Sequence, residues 1–258
     1  MKDVERDGSS SPDISIPSTY WVLDVKDWSL EFDPKCFVSG ALIRDEYKEA
    51  LQAVLSHYRT GNFHFPTSVV GEAMEVDIEN RPFANPFLDL SADFVSEMGA
   101  FILLGHPGIG DLSRFLNRIE SYYIPLGKTI WLYLALVLRL EAGLPTIFQS
   151  LPNRLFFFND EGVHILKYSL SASAMDFKAE FPPSTWCLVD SNLELNTVPG
   201  FIRNLSLFVV QASSPRPERI EWEKKEQRAS LEYFLKPWTP SELIMGCVRT
   251  MHLQHVYP

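Results

Sequence analysis

Apolar residues fall into two rhythms along this chain. Over residues 43–58 they recur at helical spacing, with Tyr47, Leu51, Val54, Leu55 and Tyr58 on one face, which predicts an amphipathic helix. Elsewhere they gather in short blocks bounded by glycine, proline, asparagine or aspartate. Those blocks predict strands at 20–25, 100–104, 145–149, 155–158, 163–167, 185–190 and 206–211, with 159–162 as the turn of a hairpin. The block 130–138 is too long for a strand and about half the length a bilayer needs, so it predicts a helix buried against a sheet. Residues 87–98 and the charged stretch 217–232 are expected as helices, the latter followed by a short strand at 233–236. Thr239-Pro240-Ser241-Glu242 has the form of a helix start. Strands alternating with helices predict an α/β fold whose mainly parallel sheet is flanked by helices.

Charge is spread unevenly over the 258 residues. Residues 1–98 hold 18 acidic and 8 basic side chains and residues 99–258 hold 15 of each, so the net charge of −10 belongs to the front of the chain. The expected organisation is a polar tail over 1–17, an acidic α+β extension over 18–98 and a sheet domain over 99–258, whose end at Pro258 leaves room for sequence downstream. An acidic front, and no run rich in lysine and arginine, argue against a nucleic-acid surface. Cys36, Cys187 and Cys247 are far apart and follow no CxxC spacing, so they form neither a disulfide framework nor a metal knuckle, and a reducing compartment is expected. The opening MKDVERDGSSSPD lacks the apolar core of a signal or transit peptide. With no block of bilayer length, the expectation is an intracellular soluble protein, cytoplasmic or nuclear, without a membrane partner.

Candidate chemistry surrounds the block 100–104. Gly105-His106-Pro107-Gly108-Ile109-Gly110 follows it, and Lys128 and Thr129 open the apolar helix. A strand, a glycine-rich turn and Lys-Thr at a helix start are the parts of a phosphate-binding loop, G-x-x-x-x-G-K-[ST]. Glycines let successive N–H groups converge on an anion, and the helix start adds partial positive charge. The lysine reaches the outer phosphates, and the threonine hydroxyl ligates magnesium. The match requires skipping residues 111–127, DLSRFLNRIESYYIPLG; read contiguously, Gly127-Lys128-Thr129 needs a glycine where Tyr122 stands. Two readings stay open: a split phosphate loop, or a glycine-rich turn beside an unrelated Gly-Lys-Thr helix start.

Asp190 ends an apolar block 61 positions after Thr129, where nucleotide hydrolysis needs a carboxylate to hold magnesium through water. Ser191 follows it, in place of a glutamate that would polarise the attacking water; Glu194 is the nearest substitute. After the block 206–211, Ser213 or Ser214 is placed to sense a terminal phosphate and Arg216 to neutralise its charge. The same residues also read as a helix cap and a solvated arginine. His252 and His255 read as an exposed helix face as readily as a metal pair.

Taken together, GHPGIG with GKT, WCLVDSN, VVQASSPRPERIEW and FLKPWTPSELI resemble the P-loop ATPase module of fungal Crinkler-type and retrotransposon-hot-spot-type proteins, over residues 101–245. The resemblance implies an AAA+/STAND-like P-loop NTPase fold with ATP and Mg2+ as cofactors, used for slow hydrolysis or as a switch. Gly105, His106, Pro107, Gly108, Ile109, Gly110, Lys128 and Thr129 would hold the nucleotide. Thr129 and Asp190 would serve the magnesium, and Arg216 is the basic residue after the fourth core strand. Members act as switches or effectors beside another domain such as a nuclease, which implies protein partners; no nuclease signature is evident in this chain. The alternative is a non-catalytic interaction protein, effector-like or derived from a mobile element, whose phosphate site is lost.

The interruption is the departure from the pattern. Closing a 17-residue excursion costs roughly 2.5 kcal/mol plus a constant, which a folded domain tolerates. Leu112, Phe115, Leu116, Ile119 and Tyr123 share one face, so the excursion is expected to pack as a small helix. The N–H groups of the loop must nonetheless converge on one phosphate, so this form is expected to bind ATP weakly and a form lacking 111–127 to bind it with magnesium. Seventeen residues are a whole number of codons, which fits a retained intron; the transcript decides that point.

Overall fold

A computed structural model of the chain describes residues 21–23, 41–60, 84–90, 99–105, 127–168, 181–192, 194–225, 229–239 and 242. The chain divides into two compact units, Trp21–Pro237 and a second formed by Met1–Tyr20 with Trp238–Pro258. In the second, the Glu242 N–H donates to Thr239 Oγ1 at 3.2 Å and the Thr239 N–H donates to Glu242 Oε2 at 2.7 Å. This reciprocal pair is the capping box of a helix start.

The larger unit begins with a small antiparallel pair, β1 (Trp21–Leu23) and β2 (Ala41–Ile43), followed by helix α1 (Asp45–Thr60). Next come β3 (Gly99–Gly105), α2 (Lys128–Glu141), β4 (Thr146–Leu151), β5 (Arg154–Asn159), β6 (Gly162–Lys167) and β7 (Trp186–Asp190). The short helix α3 (Gly200–Arg203), β8 (Phe208–Ser213), the helical turns α4 (Pro217–Ile220) and α5 (Trp222–Lys225), and β9 (Ala229–Leu235) complete it. Seven strands form one sheet in the order β6-β5-β4-β7-β8-β3-β9. The run β4-β7-β8-β3-β9 is parallel, and β5 and β6 extend it as an antiparallel hairpin.

Helices cover both faces of the parallel part, which is why its strands read as unbroken apolar blocks rather than alternating ones. Phe101, Leu103, Trp186, Leu188, Phe208 and Val210 face α1 and α2 in one core. Ala100, Cys187, Val189 and Val209 face the other way, against Phe201 and Ile202 of α3 and Trp222 of α5. Helix α2 is apolar nearly all round because it packs on the sheet and, through Trp131, against α1, which lies on the same face. Trp131 of α2 stacks on Phe101 with ring centroids 5.8 Å apart, and its Nε1–H donates to Tyr47 O of α1 at 3.1 Å.

The apolar face of α1 is buried as its spacing predicts, and Tyr47, Leu51, Val54, Leu55 and Tyr58 all belong to the core shared with the sheet. Its first turn is tied to the end of β9. Glu46 accepts the Tyr233 hydroxyl at 3.0 Å and pairs with Lys236 at 3.1 Å. Its last turn reaches the opposite end, where His57 Nε2 lies 3.1 Å from Ala100 O and 3.2 Å from Ala229 O. Helix α1 therefore runs antiparallel to β3 and β9, within the compact unit Trp21–Pro237.

One expected helix differs, and another is described only at its start. Within the stretch 217–232, Pro217–Ile220 and Trp222–Lys225 form two four-residue helical turns, and β9 begins at Ala229 inside the part expected to be helical. Pairing with β3 buries Leu231 and Leu235 while Ser230, Glu232 and Phe234 face outward, so a charged outer face hid an edge strand. At the start of 87–98, Phe87 and Leu88 lie in a turn in which Asn85 Oδ1 accepts the Phe87 N–H at 2.9 Å; residues 91–98 are outside the described residues. Among the described residues no helix is long and apolar enough to cross a membrane.

Candidate functional site

Strands β3 and β8 are parallel neighbours whose chains leave in opposite directions. After β3 the chain enters α2 on one face; after β8 it passes through α4 and α5, with Trp222 packed on the other. In an open parallel sheet such a switch of direction leaves a crevice beyond the carboxyl ends, where ligands bind. In this sheet the carboxyl ends are Gly105 of β3, Ser213 of β8 and Asp190 of β7, with β8 between the other two.

Helix α2 starts at the mouth of the crevice. Gly127, just before it, has φ 98°, a conformation glycine adopts without steric cost, and among the described residues no side chain caps the first turn. Although residues 106–126 intervene in sequence, Lys128 lies directly over Gly105. A Cβ built on Gly105 would stand 2.7 Å from Lys128 Nζ and 3.0 Å from its Cδ and Cγ. Gly105→Ala should therefore displace the flexible lysine rather than disrupt the strand. Its expected signature is several-fold weaker phosphate or nucleotide binding with a melting temperature near that of the unaltered protein, read by titration and calorimetry. Unchanged binding would show that the contact has no part in anion capture.

The next residue, Thr129, donates its hydroxyl to Asp190, with Oγ1 3.1 Å from Oδ2 and 3.3 Å from Oδ1. Burial pushes the Asp190 carboxyl up to about 6, against the Thr129 hydrogen bond and the charges of Lys128 and Arg219, which favour the ionised form. Burial likewise pulls the Lys128 ammonium down, with Asp190 opposing. Beside them at the end of β8, Ser213 donates to Ser214 O at 3.0 Å. The Ser214 hydroxyl oxygen is buried with no hydrogen-bond partner among the described residues.

The arginine that reaches this group is Arg219, not Arg216. Arg216 is exposed at the cap of α4. Buried Arg219 gives Nε–H to Asn196 Oδ1 at 3.0 Å, Nη1–H to Ser191 O at 3.3 Å and Nη2–H to Asn192 O at 3.1 Å. Its charge acts on both Lys128 and Asp190. Nothing local in the sequence separates Arg219 from Arg216, three positions earlier; the helical turn buries one and exposes the other. Glu194 is exposed, its N–H bonded to Asn192 Oδ1 at 2.9 Å. His106, Pro107, Gly108, Ile109 and Gly110, residues 111–126, Cys36, Cys247, His252 and His255 lie outside the described residues.

The structure thus brings Gly105, Lys128, Thr129 and Asp190 to one place. The arrangement offers an ammonium group and a helix start that no described side chain caps to an anion, and a hydroxyl–carboxylate pair to a cation. Among the described residues no group of three or more His, Cys, Asp or Glu side chains is arranged to hold a metal. Comparison with family models, with curated proteins and with solved structures finds no match.

Proposed function

We propose that the chain is a nucleotide-binding module of the P-loop NTPase class, which takes ATP with magnesium in the crevice between β3 and β8. The observation that carries this reading is the double contact at the start of α2: Lys128 over bare Gly105, and Thr129 on Asp190. The first contact pairs one residue from each half of the sequence signature, and the second brings Thr129 to the aspartate that the reading assigns to magnesium. The donor set suits the group. Magnesium on a nucleotide takes most of its ligands from phosphate oxygens and water, so a dedicated protein cage is not required. Thr129 would be its direct ligand and Asp190 would hold it through water, while the metal supplies neutralisation of the phosphate charge. A carboxylate that burial disfavours in its charged form gains from a cation brought beside it. The Ser214 hydroxyl, which has no hydrogen-bond partner among the described residues, would donate to a phosphate oxygen.

Switching or slow hydrolysis is the mode this site supports. Ser191 follows Asp190, and its hydroxyl is committed to the Gln211 amide at 2.7 Å. Titration of a fluorescent ATP analogue, with and without magnesium, into the chain lacking 111–127 and into its Lys128→Ala variant tests the reading. Saturable binding should be lost with Lys128→Ala; equal binding by both refutes it.

Asp190→Asn should separate binding from stability. The native Asp190 holds its proton more tightly than the unfolded chain does, so the unaltered protein loses stability as pH rises from about 4 to about 6 and stays lower above that. Asparagine keeps an acceptor for Thr129 without the buried charge. Asp190→Asn is thus expected to be more stable at pH 7, on the order of 1–2 kcal/mol, and to lose the magnesium-dependent part of ATP binding. Melting temperature followed from pH 4 to 7 checks the first part, and an unchanged pH slope contradicts it.

A further inference from the structure

Gln211 is a fully buried amide in an otherwise apolar stretch of β8. It points to the face opposite Asp190, and its hydrogen bonds all go to two connecting segments. Its amide N–H groups donate to Ser191 Oγ at 2.7 Å and Arg219 O at 3.0 Å, and its Oε1 accepts Trp222 Nε1–H at 2.7 Å. Burying an amide is costly unless it is paired, so an aliphatic residue would be the easier filling for this position. The partners say what the amide holds. Ser191 is the residue directly after Asp190, and Arg219 and Trp222 belong to the segment that carries the chain from β8 to β9.

Ser191 is fixed at three points. Its N–H donates to Ala212 O at 2.9 Å, its hydroxyl accepts Gln211, and its carbonyl accepts Arg219 Nη1–H at 3.3 Å. Arg219 also grips Asn192 O at 3.1 Å and Asn196 Oδ1 at 3.0 Å, so Ser191, Asn192 and Asn196 are all tied to α4. Asn192 Nδ2–H adds a tie to Ser150 O at the end of β4, at 2.9 Å. The main chain at Asp190 is thereby held on both sides: by ladder pairing to Ala212 before the turn and by this network within it.

We propose that Gln211 is a positioning residue: by anchoring Ser191 to the β8–β9 connection, it fixes the direction in which the Asp190 carboxylate meets Thr129. The proposal rests on the nucleotide reading, in which Asp190 serves magnesium. Gln211 touches neither crevice nor ligand and acts through Ser191.

Gln211→Met keeps the approximate length of the side chain and removes both donors. On the full chain, titrated with ATP at millimolar concentrations, it should retain affinity for metal-free ATP, because Lys128 and the start of α2 are untouched. The additional affinity conferred by magnesium should fall roughly 10-fold or more, as it does when the outer partner of a metal-side residue is removed. In the ligand-free chain, amide exchange at Ser191 and Asn192 should rise. Ser191→Ala should act in the same direction, and the double variant should be no worse than Gln211→Met alone, as members of one network are non-additive. Arg139→Lys, at the far end of α2, is the control for loss of stability alone: it should lower the melting temperature and leave the magnesium increment intact. If ATP binds and Gln211→Met keeps the full magnesium increment, or if Arg139→Lys loses as much of it, the inference falls and the nucleotide reading stands. If neither the full chain nor the chain lacking 111–127 binds ATP saturably, both fall.

Discussion

Removing residues 111–127 should raise the affinity for magnesium-bound ATP by roughly 100-fold, the worth of about two charge-assisted hydrogen bonds. The reason is geometric. Lys128, Thr129 and Asp190 already meet at the crevice, and Gly105 is already beneath the lysine. The deletion makes Gly105-His106-Pro107-Gly108-Ile109-Gly110-Lys128-Thr129 contiguous, which lets the N–H groups of the turn and of the helix start converge on one phosphate. Lys128→Ala in the shortened chain should cancel the gain. Fluorescence or calorimetric titration of the two lengths decides the matter. Equal affinities would mean that the long form already builds its cradle, or that no cradle exists; the Lys128→Ala arm separates these, since only a real cradle loses binding.

Arg139→Met should destabilise the protein by about 3 kcal/mol, among the larger single-residue effects expected in this fold. Arg139 is 1% exposed at the end of α2. Its Nε–H donates to Thr146 Oγ1 at 3.0 Å, and Nη2 donates to Pro145 O at 2.9 Å and Ser184 O at 3.2 Å. The guanidinium lies 4.3 Å from the Trp186 ring centroid and 5.6 Å from that of Phe87. One side chain thus pins α2 to the segments entering β4 and β7, at the end of the sheet away from the crevice. Methionine fills much of the volume but takes the donor from Ser184 O and leaves Pro145 O with only the Trp186 N–H at 3.4 Å, a loss of about 1–3 kcal/mol to which the missing Thr146 bond and ring contacts add. Burial already pulls the Arg139 pKa down to about 9, so part of the loss is offset by relief of a desolvated charge. Arg139→Lys should cost less, about 1–2 kcal/mol, since an ammonium group keeps charge and some hydrogen bonds but not the planar fork or the ring stacking. Denaturant unfolding measures both; a loss under 0.5 kcal/mol for Arg139→Met would contradict the account.

Much of the candidate site was legible before any coordinates. Lys-Thr at the head of an apolar block, glycine at the end of a strand and an aspartate closing another are local patterns, because each requirement is met by a few adjacent residues. The apolar face of α1 was equally plain, since helical spacing is a property of the chain alone. Arg219 was not legible, because two arginines three positions apart look alike until the turn of α4 directs one inward. Gln211 was visible as a polar residue within a strand, yet nothing local said that Ser191 and Trp222 would be its partners. Strand β9 was half hidden for a related reason: as an edge strand it carries serine, glutamate and an exposed phenylalanine outward, and its charge pattern suited a helix until β3 supplied the pairing.

The amino-acid sequence by itself determined which segments must be buried and which polar residues stand at strand ends and helix starts, because periodicity, glycine placement and charge are written one residue at a time. Tertiary structure alone decided that β8 lies between β3 and β7, that Thr129 meets Asp190 and that Arg219 faces inward. Those outcomes depend on pairing between strands far apart in the chain, and the free energy of such pairing is gained only when distant segments are buried together.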